Sequence, residues 1–254
     1  MTTPRWDEHA YWWQREFTDG VDPEYVEQII PLALDHLGFD HPGAARLVLD
    51  VGTGEGQLAR AIAATGAEVI GLDPTVPQIE VARERAGGPL YVLAGAAALP
   101  VADASVDAVV VCLVLEHVDA LDGSLAEIGR VLRPGGRLLL FLNHPLLQTP
   151  DAGMVVDHMM EPPETYWRIG PYLREAETVE EVQKDVYVRF LHRPLSRYVN
   201  GLGAAGLQLV RMEEPAPPPG FLAKAPEYEH DVVRTTPRLL LLVAERPGPA
   251  PADR

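Results

Sequence analysis

Three glycines set between two carboxylates carry the strongest chemical signal in this sequence. In "VLDVGTGEG", residues 48–56, an apolar run reaches Asp50, and Gly52, Gly54 and Gly56 follow at alternate positions. Glycine there lets the backbone adopt positive φ and lets a ligand approach where a Cβ would otherwise stand. A helix is expected to begin directly afterwards, so its free N–H groups and the positive end of its dipole face the same space. Asp73 ends a second apolar run, 23 residues after Asp50. An acid at that strand end can accept hydrogen bonds from both hydroxyls of a ribose; the competing reading is a turn-forming Asp before Pro74. The dinucleotide fingerprint G-x-G-x-x-G requires glycine where Gln57 stands. Asp50 offers a diphosphate nothing, whereas an ammonium or a sulfonium gains from it. The pattern points to a nucleoside ligand without phosphates.

The elements that must hold this loop follow from periodicity. Residues 45–52, 67–73, 90–95, 105–114 and 137–144 read as five apolar strands, with helical patterns between them. Strands apolar on both faces and separated by helices predict an α/β fold, doubly wound, with a mostly parallel sheet and helices on both faces. The last of these helices is expected to stop at "RPGG". Ahead of the first strand, residues 22–37 predict a helix capped by Asp22, kinked at Pro31, with Val26, Ile29, Ile30, Ala33, Leu34 and Leu37 as its apolar stripe. Residues 1–40 are therefore read as an N-terminal arm and helix covering a cleft of the domain at 41–254. Tyr11, Trp12 and Trp13 in that arm serve either as an anchor or as a cover over a ligand.

From Pro145 to about Asp185 the pattern breaks, and the stretch reads as an insertion on the substrate side, irregular or weakly helical. "VYVRF" then predicts a strand, "RPLSRYVNGLGAAG" a helix, and "LQLVRM" and "RLLLLVAE" the final two strands. The proline-rich stretch between those two is too stiff and polar for a core element. The tail "RPGPAPADR" is expected to be disordered.

Formal net charge is −16, from 21 basic and 37 acidic side chains. Such a surface repels phosphate backbones, and no basic run offsets it, which argues against nucleic acid. No apolar run is long enough to cross a bilayer and the first residues lack a signal-peptide pattern, so the expected location is cytoplasmic. The single cysteine, Cys112, permits no internal disulfide. It sits in an apolar strand, where it reads as packing and not as a nucleophile.

Taken together, these motifs resemble class I S-adenosylmethionine-dependent methyltransferases, especially the small-molecule branch that includes the quinone-biosynthesis type. "VLDVGTGEG" is similar to the family's first motif and "VIGLDPT" to its acidic second. "AAALPVADASVDAVV" resembles the third region, and "LEHVDALDGSLAEIGRVLRPGGRLLL" the segment after strand four. The resemblance implies a Rossmann-like, seven-stranded sheet with an antiparallel last strand. It implies S-adenosyl-L-methionine as cofactor and S-adenosyl-L-homocysteine as product. Gly52, Thr53, Gly54 and Gly56 would line the methionine part, Asp50 its ammonium, and Asp73 the ribose, with Pro74 or Leu99 in apolar contact with the adenine. Cys112 and Leu113 would contribute backbone, and His117 would pack on the cofactor or cap its own turn. Where many relatives carry an acid for the adenine amino group, "AGAAALP" offers Ala96, Ala97 and Ala98, leaving backbone contacts.

For the methyl acceptor, a small molecule is expected. His144, directly after strand five, is the candidate general base, with a structural hydrogen-bonding role as the alternative. Tyr166, Trp167 and Tyr172 of the insertion, with Tyr11 and Trp12 of the arm, are the candidate acceptor walls. Asp157, His158 and His192 are further polar candidates. The spacing of His144, Asp157 and His158 matches no metal motif, so no metal is expected. A homodimer is expected, and a cofactor-binding protein without methyl transfer, such as a cyclase or regulator, is the alternative function.

Overall fold

The computed structural model describes residues 6–18, 21–39, 46–161 and 163–248. The boundary expected near residue 40, Pro162, and residues 249–254 of the tail lie outside them. The helices are α1 (Trp6–Glu16), α2 (Ile30–Leu37), α3 (Gln57–Ala63), α4 (Val76–Arg85), α5 (Leu121–Val131), α6 (Leu195–Ala204), α7 (Pro219–Leu222) and α8 (His230–Thr235). The strands are β1 (Leu47–Val51), β2 (Glu68–Asp73), β3 (Leu90–Leu93), β4 (Val106–Cys112), β5 (Leu132–Asn143), β6 (Gly153–Asp157), β7 (Glu164–Arg168), β8 (Ala176–Gln183), β9 (Val186–His192), β10 (Gln208–Glu213) and β11 (Leu239–Glu245).

Seven strands form one sheet in the order β10-β11-β5-β4-β1-β2-β3. β1 to β5 pair in parallel, and β11 runs antiparallel to both β5 and β10. Successive strand residues point to opposite faces, and both faces are apolar here. Val48, Val110, Leu139 and Phe141 meet Ile29, Ala33, Leu58, Ile62 and Ile79 of the helices on one side. Leu49, Val109, Val111, Leu138 and Leu140 meet Leu125, Ile128, Tyr198 and Leu202 on the other. Each such large side chain, fully buried, contributes roughly 1.5–3 kcal/mol, which makes the sheet a stiff base for the loops at its carboxyl edge.

Three expectations need correcting. Residues 145–185 are not irregular or weakly helical: β6–β7 and β8–β9 form two antiparallel hairpins, each its own two-stranded sheet. β8, "AETVEEVQ", alternates between half-buried and exposed positions while carrying mostly polar side chains. Its period of two is therefore invisible to a hydrophobicity reading. The first helix is not uniform either, because Tyr25–Ile29 is a π-helical turn preceding α2. That wider turn lies just before Pro31, which has no N–H to donate, and it rotates the face: Tyr25 is buried while Val26 is 47% exposed. Asp22 does accept from the Glu24 N–H at 3.0 Å. Third, strand five begins earlier than expected: α5 stops before "RPGG" as expected, at Val131, but β5 already starts at Leu132, and the Gly135 N–H donates to the Arg246 carbonyl across the sheet. The proline-rich stretch, expected not to be a core element, holds the short α7 and a 3-10 turn at Glu227–Glu229, neither burying a residue.

Candidate active site

Every element of the site converges on the carboxyl edge of the parallel strands. The Gly52 and Thr53 N–H groups both donate to the Leu72 carbonyl, at 2.7 and 2.9 Å, tying the loop after β1 to β2. Gly52, Gly54 and Gly56 all have positive φ, at 76°, 56° and 87°. A Cβ on Gly54 would meet only Gln78 Nε2 and Trp13 Nε1, both at 3.9 Å, so this glycine opens into a cavity. Gly56 then caps α3.

The two acids sit on either side of that loop. Asp73 is buried, its Oδ2 accepting from the Gly54 N–H at 2.9 Å and its Oδ1 from the Thr75 N–H at 2.8 Å. Both oxygens are thereby oriented by backbone donors. Asp50 is 1% exposed and accepts from Thr53 Oγ1 at 2.7 Å. Burial, reinforced by the charges of Asp73 and Glu55, pushes its pKa up to about 7 against the hydrogen bond from Thr53. Glu55 is also buried, held by Arg60 and Arg85 at 2.6 Å each. With Glu55 neutralised by its two arginines, Asp50 and Asp73 are the acids left to flank the glycine loop, an arrangement that favours a cationic group over a diphosphate.

Aromatic side chains cover the cavity. It is lined by Asp50, Gly52, Thr53, Gly54, Asp73, Pro74, Cys112, Leu113 and His117, together with Trp6, Trp13, Phe17, Tyr25, Thr75 and Gln78. Trp13 stacks on Phe17 at 4.4 Å and meets Trp6 edge-on at 5.7 Å. Gln14 donates to Gln78 Oε1 at 2.8 Å, which fastens α1 to α4. Leu113, directly after β4, takes φ of 55°, a left-handed conformation uncommon for a leucine and of the kind that concentrates at functional sites. Cys112 Sγ lies 3.7 Å from the Tyr25 hydroxyl, and burial drives its pKa upward, so the thiol stays protonated.

His117 stands at the far wall, in the 3-10 turn Leu115–His117. Its Nδ1 lies 2.8 Å from the Arg189 carbonyl, and its ring packs between Trp6 and Phe190. A carbonyl only accepts, so Nδ1 carries the proton and the Nε2 of the neutral ring holds the free lone pair. Burial pulls the pKa of His117 below the ordinary histidine value. Arg193 pins this turn by donating to the Leu115 and Val118 carbonyls at 2.8 and 2.7 Å.

The other predicted site residues lie elsewhere. His144 lines neither this cavity nor the second one described below. Its Nε2 lies 2.8 Å from Glu214 Oε1, and its Nδ1 accepts from the Leu146 N–H at 3.1 Å, so both ring nitrogens are taken up by local structure. Tyr11 is 73% exposed, and Trp12 reaches out to Gln183 at the end of β8. Tyr166 is half exposed. Tyr172 accepts from the Leu195 N–H at 2.9 Å while its carbonyl contacts His192 Nε2 at 2.7 Å, fastening the hairpins to α6. Ala96 and Ala97 lie outside the cavity lining. Trp167 faces the second cavity, which Asn143, Gln148 and Arg238 also line. Asp157 and His158 sit at the end of β6 and beyond it, and among the described residues no cluster of His, Cys, Asp or Glu is arranged to hold a metal. No described helix is long and apolar enough to cross a membrane.

Sequence reasoning missed Trp6, Tyr25, Thr75 and Gln78. Gln78 was signalled faintly, as a polar residue on the inner face of an otherwise charged helix; the others depend on how α1 and the π-helical turn fold back over the loop.

Comparison with known proteins agrees with this geometry. Residues 49–140 match the methyltransferase domain family. The chain is 40% identical over 133 residues to a malonyl-[acyl-carrier protein] O-methyltransferase of Xylella fastidiosa (strain M23), covering 50% of this chain and 44% of the relative. It is 38% identical over 106 residues to a demethylmenaquinone methyltransferase of Tropheryma whipplei (strain Twist), covering 40% and 44%. The chain thus spans about half the length of the curated relatives it matches. An S-adenosylmethionine dependent methyltransferase from Mesorhizobium loti superposes with a TM-score of 0.72 at 25% identity, covering 89% of this chain and 98% of that one. The match to a methyltransferase domain runs from Leu49 to Leu140, and the sheet ending in an antiparallel strand is similar to that of an S-adenosylmethionine dependent methyltransferase.

Proposed function

We propose that the protein transfers the methyl group of S-adenosylmethionine to a small-molecule acceptor. The observation that carries this reading is the glycine loop held between Asp50 and Asp73, with both Asp73 oxygens oriented by backbone N–H groups. The residues fit the cofactor: Asp73 takes the ribose hydroxyls, Asp50 the ammonium, and Gly54 leaves room for the chain between them. When bound, the cofactor supplies an electrophilic methyl on sulfur. Trp6, Trp13 and Phe17 exclude water from that methyl, and the fixed loop sets its direction, the placement effect that can lower a barrier by roughly 7–11 kcal/mol. The acidic surface and the names of the relatives support a small or carrier-borne acceptor over nucleic acid. Titration with S-adenosylhomocysteine tests the cofactor reading. Time-dependent formation of S-adenosylhomocysteine from S-adenosylmethionine, with a panel of phenolic, amine and carboxylate acceptors, separates transfer from mere binding. Absence of heat with either compound ends the proposal.

Asp50 gives this reading a pH signature. Its folded-state value of about 7 lies above the ordinary 3.8, so the ligand-free fold binds the extra proton between those values. Stability of the ligand-free protein therefore falls as pH rises from about 4 to about 7, and levels off above. An ammonium placed beside Asp50 favours the carboxylate, so binding at pH 6 expels a proton and affinity climbs toward pH 7. Calorimetry at pH 6 in two buffers of different ionisation enthalpy is expected to show this release, and D50N to lose it. Equal heats in both buffers would contradict the assignment.

His117 is the base in this proposal, in place of His144. His117 lines the cofactor cavity, its Nδ1 bond to the Arg189 carbonyl leaves the Nε2 lone pair available, and burial holds its pKa below the ordinary histidine value. For an acceptor that must lose a proton, H117Q is expected to lower kcat by about a hundredfold or more. It is also expected to remove the acidic limb of the pH–rate profile, with little change in the KM for S-adenosylmethionine. A variant that keeps both the limb and the rate removes His117 from the chemistry.

A further inference from the structure

The second cavity, about 690 Å³ and open to solvent, lies between the hairpins and the carboxyl edge of β5, and nothing so far gives it a task. Three buried polar atoms among its lining residues have no hydrogen-bond partner: Arg238 Nε, Trp167 Nε1 and Gln148 Oε1. Buried polar groups are ordinarily paired, and leaving one unpaired is costly. Arg238 is the more telling because the protein carries so many acids. Most described arginines are paired with a carboxylate or with backbone carbonyls, yet the half-buried guanidinium of Arg238 has no hydrogen bond. Instead it lies over the Phe221 ring, 4.4 Å from its centroid. Its field reaches Asp22 and Glu24, but no described carboxylate stands within ion-pair range of it.

Charge is sorted by depth within the cavity. The unpaired N–H donors of Arg238 and Trp167 are buried, while Asp151 and Glu181 are exposed residues at the rim. Glu181 Oε1 already accepts from the Asp185 N–H at 3.0 Å. Glu180 is half-buried, hydrogen-bonded by Thr178 Oγ1 at 3.2 Å, and burial raises its pKa, which weakens its opposition to an anion deeper in. No residue lines both this cavity and the one already described, but a hydrogen-bonded pair connects their walls. Asn143 in its wall donates from backbone and side chain to Glu116 Oε1, at 3.2 and 2.9 Å, and Glu116 belongs to the turn that presents His117.

We infer that this cavity seats the methyl acceptor, and that the acceptor carries a single carboxylate held by Arg238 and Trp167. A carboxylate supplies two acceptor oxygens for two orphaned donors, and a guanidinium N–H to carboxylate bond is among the strongest available. The acidic rim rejects molecules with a second anionic group and accepts one with an N–H or O–H donor facing outward. The inference rests on the methyltransferase reading, because it takes the neighbouring cavity to hold the methyl donor.

The test uses the full chain saturated with S-adenosylhomocysteine, whose own titration comes first. Benzoate, phenylacetate and acetate are then compared with benzamide, phenylacetamide and acetamide by ligand-observed NMR. Carboxylates are expected to bind at least about tenfold tighter than their amides. R238Q is expected to erase that preference and R238K, which keeps the charge, to retain part of it; a W167F variant lowers it without abolishing it. Titration of each variant with S-adenosylhomocysteine reports that it is folded. Equal binding of acid and amide, no binding by any of the carboxylates, or a preference that survives R238Q, overturns the inference while leaving cofactor binding intact. Failure of the first titration brings down the methyltransferase reading itself, and this inference with it.

Discussion

Replacing Asp73 with alanine will raise the dissociation constant for S-adenosylhomocysteine at least about a hundredfold. The carboxylate receives N–H groups from Gly54 and Thr75 and, in the proposed complex, two ribose hydroxyls. Hydrogen bonds to a charged group contribute about 1.5–3 kcal/mol each, and about 1.4 kcal/mol is tenfold in affinity. Two lost ribose bonds therefore suffice, before any loosening of the loop. D73N, which keeps one carbonyl acceptor, falls between the two. A cycle with the 2′-deoxy analogue separates ribose contact from collapse of the loop. The analogue binds the unmodified protein less tightly than the parent compound, and in D73A that difference vanishes. If D73A holds S-adenosylhomocysteine within about threefold of the unmodified protein, Asp73 is only a turn residue.

The second large effect belongs to Gly56. An added Cβ there would lie 2.3 Å from the Tyr91 hydroxyl oxygen and 2.7 Å from its ring, at φ of 87°. Left-handed backbone costs a non-glycine residue about 1 kcal/mol or more, and overpacking a further 1–3 kcal/mol. G56A is thus expected to lose roughly 2–4 kcal/mol and, at about 2–4 °C for each kcal/mol in a chain of this size, to melt roughly 5–15 °C lower. Gly66 is the internal control, since its φ is 96° but nothing lies within 4 Å of an added Cβ. G66A should lose only the backbone contribution. Y91F, which deletes the colliding oxygen, should restore part of the stability of G56A. Thermal melts of the four proteins decide the matter, and a G56A that melts no lower than G66A would falsify the packing account.

Much of this architecture could be read before any coordinates. Strands such as "DAVVVC" and "RLLLLVAE" are apolar at every position or nearly so, and only a strand buried on both faces tolerates that. Asp50, the glycines and Asp73 were legible because their types are expensive anywhere else: positive φ asks for glycine, and a buried acid needs donors. β6, β7 and β8 were illegible because none of them buries a residue, whereas β9, which buries Val188 and Phe190, was legible as a strand. His144 lies outside the cavity lining for a related reason. Its position after β5 aims it at the cleft in a linear reading, but Glu214, 70 residues later, draws the ring away.

The local chain determined the sheet, the bend after β1 and the two acids beside it, because backbone sterics and strand burial act over a few residues. Which aromatic rings close over the bend, which histidine keeps a free nitrogen, and where Arg238 stands depended on segments tens to hundreds of residues apart. Those contacts arise only when α1, the hairpins and the segment before β11 pack together at one edge of the sheet, and no spacing along the chain encodes them.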